Sequence, residues 1–297
     1  MNVSLNYTLA NKTVQTGTTS LTGWFIVTTF VEILTSLLII LLIIAILYRH
    51  GKPSESHVQI ILMLSVSLLI TAVINPALTL PLYFPSLTLS LTNCRFFYVA
   101  YIICPSSEQW AAFMLSINRL VAVVFPSHYT KFNKRGVTFA TIFLGWLTHL
   151  AIGLPIAVAS GFDTALAPPL NICVVRPVTP VSIEIFRVTG ILGIYLPIAG
   201  TNFCYLVILL SQLRFRFSKP TIDRTMDLKI QRRIFIGKML FASSLWHLVC
   251  HVPLIVVTHF YYYLYVKNPH LQLWMRTMYY SGYLGTPVCF KNTPFFS

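Results

Sequence analysis

Some charged side chains sit inside long apolar stretches and could do chemistry there. Arg119 closes the third stretch, within Ser116-Ile117-Asn118-Arg119-Leu120. An arginine inside a membrane helix costs at least ~2.5–3.5 kcal/mol at the helix centre, so one that persists has a function. It follows Cys94 by 25 residues, about seven helical turns, so the two lie on one helix face. Glu108 lies 11 residues before Arg119, about three turns, and faces the same way. A carboxyl group at that depth can hold a cation or a proton, or stay protonated and hydrogen-bond a neighbouring helix. Arg276, in the seventh stretch, either receives an acidic ligand group or snorkels to lipid headgroups. Glu32, in the first stretch, has no assignable partner. No nucleophile–His–acid set and no metal-ligand spacing such as Cys-x-x-Cys occurs, so no enzyme activity, metal or cofactor is expected.

The composition requires a membrane around these residues. The chain is 56% hydrophobic and 9% charged, with a mean hydropathy of +0.74. Soluble domains carry about 25% charged residues, and a soluble core of this size could not bury so much apolar side chain. The net charge of +14 invites a nucleic-acid reading. The basic residues, however, lie between apolar spans rather than on one soluble face, so they read as topology signals facing anionic lipid.

Seven segments are long enough to cross ~30 Å of hydrocarbon as helices: about 24–48, 58–83, 94–125, 137–160, 183–211, 234–262 and 271–290. The fold class is an all-α membrane protein, a seven-helix bundle over 23–291. It is preceded by an extracellular segment, 1–22, and followed by a short cytoplasmic tail, 292–297. Two signals orient it. Asn2-Val3-Ser4, Asn6-Tyr7-Thr8 and Asn11-Lys12-Thr13 are glycosylation sequons, or a chance cluster in an Asn/Thr-rich tail. With the N-terminus outside, 15 of the 21 Lys and Arg residues fall on the inner side. The first 20 residues have no basic start and no apolar run, so they do not read as a signal peptide. No internal repeat is visible, which weakens a transporter reading. The localisation expected is the plasma membrane.

Asn118-Arg119-Leu120 resembles the Asp-Arg-Tyr motif ending the third helix of rhodopsin-like G-protein-coupled receptors. Trp146 and Pro155 in the fourth span, Pro197 and Tyr205 in the fifth, Pro253 in the sixth and Thr286-Pro287-Val288-Cys289-Phe290 in the seventh follow that family's landmarks in order. The resemblance implies a disulfide between Cys94 and Cys173; the other reading is two free thiols. It implies that Asn118, Arg119, Leu120, Tyr205, Pro253, Pro287 and Phe290 form the switch toward a heterotrimeric G protein. Prolines kink membrane helices and can act as hinges. A subfamily resemblance, to the divergent serpentine chemoreceptors of nematodes (gamma-like group), rests on Asn118-Arg119-Leu120 continuing through Phe125-Pro126.

The chain also departs from the pattern. Its second span reads Leu64-Ser65-Val66-Ser67-Leu68 where the family has a sodium-binding Asp, so Glu108 is the candidate internal cation or proton site. His251 stands where the family usually has Trp. Asn118 and Arg233 replace the acids that would pair with the third-helix Arg, which predicts appreciable ligand-independent signalling. Tyr101, five turns before Arg119, occupies the position of the amine receptors' Asp and argues against amines. Tyr280 stands where opsins carry the retinal lysine.

The family's pocket lies between the outer halves of spans three, five, six and seven. The candidate ligand contacts are therefore Phe97, Tyr98, Tyr101, Thr189, His251, Ile255, Thr258, Arg276 and Tyr280, the aromatic ones equally readable as packing. Phe260-Tyr261-Tyr262-Tyr263 reads as an interfacial aromatic belt. A basic inner loop, roughly 212–233, with Arg214, Arg216, Arg232 and Arg233, faces either G protein or lipid, and Pro126 and His128 lie in the loop before it. The chain stops seven residues after Phe290, where such receptors usually continue, so a truncated tail is expected. The function implied is reception of an unknown extracellular ligand, a chemosensory small molecule. The alternatives are a neuropeptide receptor of the same fold and a seven-span ion channel or transporter.

Overall fold

The computed structural model describes residues 18–50, 55–84, 90–125, 127, 129, 135–158, 161–167, 172–218, 224–261, 264 and 268–285. These form a bundle of seven long helices. α1 is Thr18–His50. α2 runs from Glu55–Leu69 through a π-turn, Ile70–Ile74, to Asn75–Tyr83. α3 is Leu91–Val124 and α4 is Arg135–Val158. α5 begins at Pro180–Gly190, passes a π-turn at Ile191–Tyr195 and continues as Leu196–Ser218. α6 is Arg224–Phe260 and α7 is Pro269–Gly282. The sequons, Pro126, His128, Pro287, Phe290 and the tail lie outside the described residues, as do the side chains of Pro155 and Arg233.

Among the described residues four helices carry apolar stretches long enough to span a bilayer: Thr22–Tyr48, Ile60–Leu80, Pro180–Arg214 and Lys238–Thr258. α3 is long enough but polar at its middle, where Ser106, Ser107, Glu108 and Gln109 are all buried. It can be polar because it packs against α2, α4 and α5 rather than lipid. α1 shows the complementary pattern. Trp24, Thr28, Glu32 and Thr35 point inward while Ile26, Phe30, Ile33, Leu37 and Leu41 are exposed. In lipid no hydrophobic force drives leucine inward, so small and polar residues take the interfaces and large apolar ones face the tails.

A ladder of side-chain bonds ties the first three helices and α7 together. Trp24 Nε1 donates to Leu273 O at 2.9 Å, and Thr28 and Thr277 hydroxyls pair at 3.0 Å. Ser36 donates to Thr71 at 3.0 Å, and Ser67 hydrogen-bonds Glu108. Each such bond in a membrane is worth about 0.6 kcal/mol on average.

Both π-turns have the same cause. Pro76 and Pro197 have no N–H to give the carbonyl four residues back. The turn before each widens instead, and Asn75 N–H and Leu196 N–H reach Ile70 O and Ile191 O, five residues away.

Two sequence expectations need correction. The region between α4 and α5 is not simply a loop. It holds a two-stranded antiparallel hairpin, β1 Phe162–Ala167 with β2 Ile172–Pro177, in register Thr164↔Val175 and Leu166↔Cys173. The basic stretch 212–233 is not mainly a loop either: α5 reaches Ser218 and α6 starts at Arg224. Arg and Lys end an apolar span by their charge, but they are good helix formers, so the helix continues past the hydrocarbon edge.

Candidate functional site

The hairpin is fastened to the bundle by a Cys94–Cys173 disulfide, Cα–Cα 5.6 Å, near the start of α3. Cys173 and Val175 share one strand face and are both buried. Phe162 and Val175 pack on Ile156 of α4 and on Tyr98, Ile102, Ile185 and Phe186. The hairpin therefore rests on the tops of α3, α4 and α5.

Directly beside it lies a cavity of about 100 Å³ enclosed by four helices. α3 contributes Tyr98, Tyr101, Ile102 and Ser106; α5 contributes Phe186, Thr189, Gly190 and Ile194. Leu254, Ile255 and Thr258 come from α6, and Arg276 and Tyr279 from α7. The α5 π-turn shapes one wall: Ile194 belongs to it, and a Cβ at Gly193 would lie 2.8 Å from Ser106 Oγ, so α5 and α3 meet here only through glycine. Arg276 is 8% exposed, which places its side chain within the bundle rather than outside it.

Six of the nine residues expected to contact a ligand line this cavity: Tyr98, Tyr101, Thr189, Ile255, Thr258 and Arg276. Three do not. Phe97 stacks edge-on against Phe96, ring centroids 5.5 Å apart, beside the disulfide. Tyr280 is buried against Ile70, Ile74 and Leu78 of α2. One residue is 100° of helix, so its neighbour Tyr279 turns to the cavity while Tyr280 turns away. His251 lies just below, its ring centroid 4.3 Å from Tyr279, 5.2 Å from Tyr283 and 4.5 Å from His247. A Cβ at Gly282 would overlap this imidazole, so the histidine in the usual tryptophan position is seated by a glycine on α7.

The residues missed in the sequence had a periodic signal. Ile102 and Ser106 continue the i+4 row from Tyr98, Phe186 lies three before Thr189, and Tyr279 lies three after Arg276. Ile194 had none, because the π-turn breaks the row.

Below the cavity Glu108 is 2% exposed. Its Oε1 is bonded to Ser67, and its Oε2 has no hydrogen-bond partner. It borders a second cavity of about 70 Å³, lined also by Gln109, Thr201, Asn202, Ser243, Ser244 and His247. There is room for an ion with water, and the polar groups are set in a mostly apolar surface that includes Met63, Ala112, Leu115, Ile198 and Leu240. Among the described residues no group of three His, Cys, Asp or Glu is arranged to hold a metal. Glu32 is buried on α1 with Oε1 unbonded.

At the far end of α3, Asn118 and Arg119 are half-buried. Leu120 packs on a cluster of Tyr205, Ile208 and Leu240, with Phe241 beside it. Leu240 and Leu254 are on the same helix, with Pro253 between the Tyr205–Leu240 cluster and the cavity wall. Trp146 is 37% exposed on α4, and Arg214 is exposed at the end of α5.

Comparison with known proteins agrees with this arrangement. A stretch of 133 residues is 27% identical to a Dopamine D2-like receptor of Drosophila melanogaster; the stretch is 45% of this chain and 15% of that receptor. Residues 11–289 match the 7 transmembrane receptor (rhodopsin family). The chain therefore belongs to the rhodopsin family of seven-transmembrane receptors, a family of receptors and not of enzymes.

Proposed function

We propose that this protein is a plasma-membrane chemosensory receptor, N-terminus outside, that couples binding of a small extracellular molecule to a heterotrimeric G protein. One observation carries the reading. α6 forms a wall of the four-helix cavity through Leu254, Ile255 and Thr258 and packs on Tyr205 and Leu120 through Leu240, with Pro253 between the two. A ligand that prefers one tilt of the upper half of α6 shifts the population of the lower half, where the G protein docks. The volume of about 100 Å³, against the about 300–1,000 Å³ of drug-sized sites, favours a small molecule over a neuropeptide.

The orientation is supported by the three sequons and the basic inner segments. Asn118-Arg119-Leu120 through Phe125-Pro126 supports a place among the nematode-like serpentine chemoreceptors of the gamma-like group. Glu108 is the internal cation or proton site, standing on α3 in place of the family's acid on the second helix, with Ser67 opposite it.

Neither Asn118 nor Arg233 carries the acid that closes the family's lock on the third-helix arginine, and this reading expects signalling without ligand. Installing the acid, Arg233→Glu, lowers ligand-independent G-protein dissociation several-fold at equal surface expression, in keeping with a coupling of about 1–3 kcal/mol. Unchanged basal dissociation in that variant would refute the missing lock.

A further inference from the structure

We propose that the ligand of the four-helix cavity is an uncharged, membrane-partitioning small molecule that enters sideways from the outer leaflet, between α4 and α5 past Thr189. The proposal rests on the receptor reading above and names the ligand class of that same cavity and its route in.

The argument starts from what covers the cavity. On the outer side the hairpin packs over it. Phe162 and Val175 lie against Tyr98, Ile102 and Phe186, three of the lining residues, and the Cys94–Cys173 bridge ties β2 down. The side toward α4 is different. A groove of about 560 Å³ runs between Ala151 of α4 and the first turns of α5, with Val181, Ile185 and Val188 among its walls. Thr189 lines this groove and also lines the cavity. At that point the wall between the two spaces is one side chain thick. The next residue, Gly190, adds no side chain to it and lines the cavity too.

The groove lies where a lipophile collects. Glu184, on its upper wall, pairs with Arg187 at 2.7 Å, both side chains exposed, and exposed charges of this kind belong at the headgroups. Just below them Val188, Ile191 and Leu192 are exposed and apolar, as lipid-facing residues are. Thr189 stands about 14 Å along the helix from Pro180. The groove therefore leads from headgroup level into hydrocarbon, and its volume falls within the about 300–1,000 Å³ of small-molecule sites. The doorway itself is chemically quiet. Thr189 donates its one hydroxyl hydrogen to Ile185 O at 2.7 Å, so a solute passing it need not replace a lost donor bond. An uncharged molecule dissolved in the leaflet can follow this route. An ion would first have to shed its water in hydrocarbon, which is costly. Inside, Ile102, Phe186, Leu254 and Ile255 offer an apolar body the same kind of surface it has left.

The test follows the route with small thiol reagents on the full-length receptor in lipid nanodiscs. Thr258→Cys puts a thiol in the cavity wall, and Ile255→Cys supplies a second position should the first variant fold poorly. Each is treated with propyl methanethiosulfonate, which is neutral, and with its ammonioethyl and sulfonatoethyl counterparts, which carry opposite charges. Labelling at the new thiol is read by peptide mass against the unaltered receptor, each rate scaled to the same reagent's rate with a free thiol in water. The propyl reagent is expected to label, and both charged reagents to be slower by at least about tenfold, because hydrocarbon excludes charge. Ala151→Trp, which fills the groove, slows the propyl reagent several-fold, whereas Leu210→Trp, exposed further along α5, leaves its rate unchanged. The comparison of reagents needs no tryptophan variant, so it holds even if Ala151→Trp folds poorly. A charged reagent as fast as the propyl one would show entry from water past the hairpin and overturns the proposal. Labelling that ignores Ala151→Trp, or none by any reagent, overturns it as well. Because no G protein is present, each failure leaves the signalling reading to be judged by Arg119→Glu in cells.

Discussion

A Cys94→Ser, Cys173→Ser double variant unfolds well below the parent receptor and loses ligand affinity. The bridge closes a segment of 79 residues, and a loop of that length constrains the unfolded chain by about 4.5 kcal/mol. For a chain of this size that corresponds to a fall of roughly 7 °C in Tm. The functional loss has a separate cause. Cys173 pins β2 over the bundle, and Phe162 and Val175 of the hairpin pack on Tyr98, Ile102 and Phe186, three of the residues that line the cavity. Released at one corner, the hairpin no longer holds those side chains in place. Thermal unfolding of the purified variant checks the first effect and ligand-dependent stabilisation the second. A variant as stable as the parent would show that hairpin packing alone secures this end of the bundle.

In Glu108→Gln, sodium and pH lose their influence on signalling. The reason lies in one hydroxyl hydrogen. Ser67 Oγ is within reach of Met63 O at 3.1 Å and also of Glu108. If the hydrogen goes to Glu108, the carboxylate is ionised and can hold a cation in the adjoining cavity of about 70 Å³. If it goes to Met63, the carboxyl group is itself protonated and donates to Ser67. On the proposed reading a cation and a proton compete for one site. That site adjoins Thr201 and Asn202 of α5 and Ser243, Ser244 and His247 of α6, the two helices that meet at Tyr205 and Leu240. Occupancy can thus bias the switch, by about 5–150-fold if the coupling is ordinary. Glutamine keeps the shape and a donor for Ser67 but can hold neither charge nor proton. Basal G-protein dissociation measured with sodium or potassium, across pH, tests this. Persistent sodium and pH effects in Glu108→Gln would remove the site.

How much of this was legible in the sequence follows from which forces act locally. The helices were legible because crossing a bilayer demands length and apolarity, both written in the chain. Their ends were less so: Arg214 and Arg224 stop a hydrophobic run without stopping a helix. The hairpin was not legible, since Phe162–Ala167 and Ile172–Pro177 are short and gain their stability from Tyr98 and Ile102 of α3 and from the disulfide to Cys94, all distant in sequence. In the cavity, rotation about the helix axis decided success. Tyr98, Tyr101 and Arg276 share a face that spacing reveals, whereas Tyr280 misses by one residue. Ser67 as the partner of Glu108 needed the packing of α2 on α3, which spacing within one helix does not contain.

Signalling to a G protein, as proposed, requires Arg119 at the end of α3 to act as the switch. The direct test records G-protein dissociation and membrane current together in cells expressing the receptor or Arg119→Glu at matched surface levels. Dissociation above that of untransfected cells, abolished by Arg119→Glu and without accompanying current, is the predicted result. Current without G-protein dissociation would contradict it and make the bundle a channel.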